Sequence, residues 1–236
     1  DSLWCINFGL SILMPDSTIT ADTSGAGDDG VALNTSTADW ATTRGSATTT
    51  GSNHMDFGSA HPAGVLNRKY TGRGTRWNCY RSYFSFDVSG ESGTVESATI
   101  KIYLQHNGSS TTMSRVVLVE ATTLAGSAAD FGNVFSSGTT LGTLIHDDYV
   151  GISNVAGFHD FELNSDGISA LNDKIGTGKL QVGLMGHYSD YLGNDPASAY
   201  TTIAVDYTEG TNDPIIEIDY ASATVTYNAT FFGSNF

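Results

Sequence analysis

Apolar and polar residues alternate one for one along much of this chain, most clearly over Tyr80–Val88. There Phe84, Phe86 and Val88 fall on one face, and Tyr83, Ser85 and Asp87 on the other. After a turn at Ser89-Gly90-Glu91-Ser92-Gly93 the pattern resumes over Ser97–Leu104, with Ala98, Ile100, Ile102 and Leu104 set against Thr99, Lys101 and Tyr103. Successive side chains of a strand point to opposite faces, so this alternation predicts strands with one buried and one wetted face. Further strands are predicted over Arg115–Glu120, Phe158–Leu163, Lys179–Met185, Thr201–Tyr207 and Ile215–Tyr220, with a last one over Ala223–Phe231. The N-terminal third offers shorter candidates around Ile6, Val31, Met55 and Val65, and polar runs such as Thr48–Ser52 read as loops. Helical character is confined to Gly167–Lys174, where Ser165 or Asp166 would serve as N-cap.

No segment recurs at a fixed period, which argues against a propeller or β-helix. Eight or more antiparallel strands bury their apolar faces most simply in two layers. The expected fold class is therefore all-β, an antiparallel jelly-roll-like β-sandwich with one short helix. Residues 28–220 would form the sandwich, 1–27 an N-terminal arm and 221–236 a β-prone C-terminal tail.

Composition supports a packed domain. The chain has 236 residues, 39% hydrophobic and 11% aromatic but only 15% charged, with 27 Gly against 4 Pro for tight turns. A chain of this length can bury roughly 70–75% of its unfolded surface and needs no staples. The formal net charge of −15 repels phosphates and anionic lipid, so no nucleic acid and no membrane is expected as partner. The apolar stretch Leu3–Met14 is too short to span a bilayer, and without a basic flank it does not read as a signal peptide. Cys5 and Cys79 are the two cysteines; a single disulfide and two buried thiols are both compatible with them.

Two runs resemble a known family. Arg81-Ser82-Tyr83-Phe84-Ser85-Phe86-Asp87, followed by Val95-Glu96-Ser97-Ala98-Thr99-Ile100-Lys101-Ile102-Tyr103, resembles the core of DNRLRE-type jelly rolls, which are similar to carbohydrate-binding modules. Four further stretches resemble a variant seen in tailed-phage and environmental sequences. They are Ala38–Arg44, Ala129–Gly132, Gly157–Asn164 with Asp166-Gly167, and Asp206–Tyr220. The resemblance spans about Asp29 to Tyr220 and implies a jelly roll displayed on virions or secreted by bacteria, often associated with glycans. It covers structural positions, so no catalytic residue carries over, and residues 1–27 and 221–236 have no counterpart in it.

Candidate chemistry is sparse. The chain lacks GxSxG, HExxH, P-loop and EF-hand patterns, and its six histidines (His54, His61, His106, His146, His159, His187) show no metal-ligand spacing. Asp147-Asp148 after His146 suggests an acid/base pair, but adjacent strand residues point apart. No catalytic residue and no metal site is therefore assigned, and the protein is read as non-enzymatic. Arg81 and Asp87 bracket the best strand, either as ligand contacts or as groups paired with loops. The loop His187–Asp195 offers Tyr188 and Tyr191 beside Asp190 and Asn194, a candidate glycan platform whose tyrosines could equally cap the sandwich edge or meet a neighbouring subunit. Asp28-Asp29, with Asp16 and Asp22, could supply oxygens to a structural calcium, and no other cofactor is expected. The apolar ends, Trp4, Ile6 and Phe8 and then Val225, Tyr227, Phe231 and Phe232, would aggregate if left free, so they are the candidates for strand addition and assembly. Sequons stand at Asn34, Asn107 and Asn228.

These features favour a structural or binding protein on a tailed-phage virion surface, as capsid decoration or head or tail fibre. Its expected partners are other virion proteins, further copies of itself as a homo-oligomer, and host-surface glycans. The alternative is a secreted, extracellular bacterial carbohydrate-binding module.

Overall fold

In the computed structural model, the described residues are 15–22, 29–46, 48, 54–55, 61–72, 74–107, 114–121, 123–125, 127, 129–134, 142–196, 201–206 and 211–221. Twelve strands occur among them: β1 (Ser17–Thr20), β2 (Asp29–Ser36), β3 (His54–Met55), β4 (His61–Tyr70), β5 (Arg76–Asp87), β6 (Val95–His106), β7 (Arg115–Glu120), β8 (Val150–Gly151), β9 (Gly157–Glu162), β10 (Lys179–Gly186), β11 (Thr201–Val205) and β12 (Ile215–Tyr220). Every pairing between them is antiparallel.

Two long strands organise the sandwich. β5 carries β2 on one edge and, in succession, β4 and β10 on the other; β10 continues to β7 and β8. β6 carries β9 on one edge and β12 then β11 on the other, with β1 outside β12. β4 also pairs with β11, so the two layers join along one side. Between them lies the main core: Phe84, Phe86, Leu118, Val182 and Leu184 from one layer meet Ile100, Ile102, Leu104, Phe161 and Ile216 from the other. The protein is an all-β antiparallel sandwich of jelly-roll type, as the alternation predicts.

Three features differ from the sequence expectation. First, the outer face of the β5 layer is not wet: Tyr83 and Ser85 are fully buried, and only Asp87 of that face reaches solvent. A second core of Trp40, Trp77, Cys79, Tyr83, Val117, Val119, Phe131 and Met185 covers this face. The uninterrupted Val116-Val117-Leu118-Val119 run is the sequence mark of such a strand, buried on both sides. Second, the covering elements are short helices that lack a recognisable period: α1 (Trp40–Arg44) and α2 (Asp130–Asn133). α3 (Ser165–Asn172) is the expected helix, but Asn164 rather than Ser165 or Asp166 caps it, its Oδ1 accepting from the Gly167 N–H at 2.9 Å. Third, β1 lies inside the segment expected as an arm and pairs with β12 from Ser17↔Ile218 to Thr20↔Ile215.

Among the described residues no helix is long and apolar enough to cross a membrane. The assembly candidates Trp4, Ile6, Phe8, Val225, Tyr227, Phe231 and Phe232 lie outside the described residues, as do Cys5, Asp28 and Asn228.

Candidate ligand-binding surface

Strand β10 leaves its layer at Gly186, opposite Val116 of β7, and runs directly into one π-helical turn, His187–Tyr191. The turn closes with an i→i+5 bond from the Leu192 N–H to the His187 carbonyl at 2.9 Å. It divides its side chains sharply. Ser189 and Asp190 point inward and are buried, whereas Tyr188 and Leu192 are exposed, at 37% and 54%.

The inward side is an anchor. Arg81, fully buried in the middle of β5, donates from Nε and Nη2 to the two Asp190 carboxylate oxygens, each at 2.7 Å. Its remaining donors reach the carbonyls of Phe131 at 2.7 Å and Arg44 at 2.6 Å, and its guanidinium lies 4.0 Å over the Phe131 ring. Arg44 donates to the Asp190 carbonyl at 2.8 Å, and the Trp40 indole N–H to the Ser189 carbonyl at 2.9 Å. Helix α1 supplies both of these groups; its N-cap Asp39 accepts from the Thr42 N–H at 2.6 Å, which holds the Asp39 carboxyl below its usual range. Asp190 is therefore not part of an exposed platform. It is the buried counter-ion of Arg81.

The side away from that anchor carries half-buried rings, of which Tyr149 and Tyr191 also pack against the second core. His187 and Tyr191, four residues apart, stack with centroids 6.2 Å apart and planes 19° from parallel. Tyr149 follows at 4.9 Å from His187, and the Arg115 guanidinium sits 4.1 Å over the Tyr149 ring. The β7–β8 pairing, Arg115↔Gly151, brings these two residues beside the turn. Burial holds His187 below the usual imidazole range, against an upward pull from Asp148 and with a downward push from Arg115. Burial also pushes the Tyr191 phenol up. Asn194 is exposed and donates to the Tyr188 carbonyl at 3.0 Å, closing the loop on itself. The surface thus brings together Tyr188, Tyr191 and Asn194 of the candidate platform. It adds Arg115 and Tyr149, which come from two other stretches with no shared motif, beside His187 at the start of the same loop.

The other candidates separate. Asp147 and Asp148 separate: Asp148 is exposed with φ +52°, while Asp147 lines a pocket of about 280 Å³ with His146, Asp160 and Glu162. The His146 Nε2 accepts from the Leu118 N–H at 2.9 Å, so its lone pair is occupied. Asp87 is exposed and accepts from the Ser89 N–H at 2.9 Å. Asp16 accepts from the Tyr220 N–H, Asp22 pairs with Lys179 at 2.7 Å, and Asp29 is buried in β2. Among the described residues no group of three or more His, Cys, Asp or Glu side chains could hold a metal ion. Cys79 is a free buried thiol that donates to Asn67 Oδ1 at 3.4 Å, and burial pushes its pKa well up. Asn34 is buried with its amide donating to the Thr43 carbonyl at 2.8 Å, so that sequon is closed to modification in the folded chain. Asn107 is exposed.

Fold and surface define a class: a β-sandwich with a rigid, tyrosine-bearing turn at one end of its doubly covered layer. No family model matches the chain, and no curated protein matches it. Among solved structures it is similar to a chain described as "xylan-binding module CBM15", with 12% identity and a TM-score of 0.37, over 87% of this chain and 99% of that one.

Proposed function

We propose that this protein is a non-catalytic glycan-binding domain that takes a saccharide against the His187–Tyr191 turn. The observation that carries the reading is the anchoring of that turn. A buried ion pair adds little net stability over well-packed apolar residues, so its value lies in fixing position. Here Arg81, Arg44 and Trp40 fix a turn that exposes Tyr188 beside the half-buried rings of His187 and Tyr191. Pre-set aromatic surface with few polar groups is what sugar binding requires, since the C–H faces of a pyranose pack on rings and its hydroxyls need donors and acceptors. Tyr188, exposed, and the half-buried Tyr191 supply the first; Arg115, Asp148, His187 and Asn194 supply the second.

Display on a tailed-phage virion, as decoration or fibre, is the setting we favour, with location outside the cytoplasm and self-association through the terminal segments. The resemblance of the Arg81–Asp87 and Val95–Tyr103 runs to jelly rolls of that kind supports it, as do the apolar ends of the sequence. A secreted bacterial module is the competing setting, and the genes flanking this one distinguish the two. A glycan array with the wild-type chain and Tyr188→Ala tests the binding itself. Binding of at least one saccharide class that the variant loses supports the proposal; no binding to any class, or equal binding by both proteins, overturns it.

A further inference from the structure

The cations of this acidic chain are unevenly placed. Four of its ten Lys and Arg residues (Arg68, Lys69, Arg73 and Arg76) fall within positions 68–76, on a chain of formal net charge −15. Strands β4 and β5 pair there as Tyr70↔Arg76, at the end of their ladder where residues 71–75 join them. Tyr70 is held between cations. The Arg68 guanidinium lies 4.1 Å from its ring centroid and donates to its hydroxyl at 3.3 Å, and the Arg76 guanidinium lies 5.2 Å from the same centroid. Lys69 is engaged elsewhere, 3.7 Å from Asp195 and 5.1 Å over the Trp77 ring.

Beside Tyr70 opens a pocket of about 380 Å³ lined by Thr37, Tyr70, Gly72, Gly74, Thr75 and Arg76. Both glycines face open space: a Cβ at either would meet nothing within 4 Å. Arg76 is exposed, and among the described residues no carboxylate lies within 4.0 Å of it. A guanidinium fork matches the paired oxygens of a carboxylate or sulfate, and threonine hydroxyls suit the neutral part of a sugar. The negative charge of the rest of the molecule does not cancel this local field, because exposed charges farther off than roughly 8–10 Å are largely screened at physiological salt. A long polyanion, by contrast, would extend over the acidic surface and be repelled.

We propose that the Tyr70–Arg76 hairpin pocket is a second binding site, for an anionic group carried on a saccharide, either a uronate carboxylate or a sulfate ester. The saccharide part rests on the glycan reading above; the anion part stands on the hairpin alone. The full chain is titrated calorimetrically with tetragalacturonate, with a sulfated disaccharide and with inorganic sulfate, at low and high salt. At least one anionic saccharide binds; Arg76→Gln weakens it about tenfold, the size of one lost charge-assisted hydrogen bond, and Thr75→Glu, which sets a carboxylate against the bound anion, weakens it as well, both at exposed positions. High salt weakens it too, and Tyr188→Ala leaves it unchanged even where that variant abolishes binding of a neutral glycan. Four results overturn the proposal: no anionic saccharide binds, inorganic sulfate alone binds, binding survives both hairpin variants, or Tyr188→Ala removes it.

Discussion

Arg81 and Asp190 stand 109 positions apart and meet with both side chains out of solvent. Only one half of that pair was legible in the sequence. Arg81 reads from sequence as the charge at one end of the best strand, where pairing with a loop is one of its two readings; the structure extends that strand back to Arg76 and so places Arg81 in its middle. Its partner was not legible. Asp190 sits between tyrosines in a polar loop and looks like a ligand group; only the π-turn, which buries residues 189 and 190 and exposes 188, reveals it as structural. Removing one member of a buried pair leaves an uncompensated charge, so Asp190→Asn is expected to cost about 3–5 kcal/mol in urea denaturation. Asp87→Asn, at an exposed turn, should change the same free energy by less than about 1 kcal/mol. Equal effects of the two substitutions would mean that the Arg81 pair does not anchor the turn.

At the scale of elements, strands were legible because their period is simple, and β7 and β12 match their expected bounds, Arg115–Glu120 and Ile215–Tyr220. Helices α1 and α2 were not, since five and four residues are too few to show a period. Their packing on the β5 layer, both against β2 and α1 also against β5, depends on close approach. Gly183 of β10 leaves room for Val134 just beyond α2, and a Cβ there would collide with the Val134 side chain. Gly183→Ala is therefore expected to cost about 1–3 kcal/mol by overpacking. Gly151→Ala, where a Cβ meets nothing, serves as the control. Thermal unfolding of the two variants distinguishes them, and an unshifted Gly183→Ala would refute the packing.

The segment joining β7 to β8 adds a pH dependence. Burial holds His146 below the usual imidazole range, and its Nε2 accepts from the Leu118 N–H only when neutral. Its folded pKa is thus lower than its unfolded value near 6.5, so its contribution is complete above that pH and is lost as pH falls towards the folded pKa. His159 and His187, also lowered by burial, act in the same direction. Unfolding free energy should fall as the solution is acidified below about pH 6.5, and His146→Gln should flatten part of that slope. A slope of opposite sign would contradict the buried, neutral imidazole.

On the scale of the whole molecule, the one-sided alternation of β6 and the two-sided burial of β5 and β7 give the sandwich unequal layers. The layer with two covered faces has a second core, and that second core carries the anchored turn. Antiparallel architecture could be read from the period-two pattern; the second core could not, because its helices and the Arg115–Tyr149–His187–Tyr191 stack assemble from distant stretches. Function follows from this arrangement if the turn is a pre-set sugar surface. The most direct test is a two-dimensional amide NMR titration of the full chain with the saccharide that it binds best on an array. Shifts concentrated at Arg115, Asp148–Tyr149 and His187–Asn194 are predicted, with Arg81 and the main core unmoved. Shifts that avoid the turn, or no saturable shift at all, would contradict it.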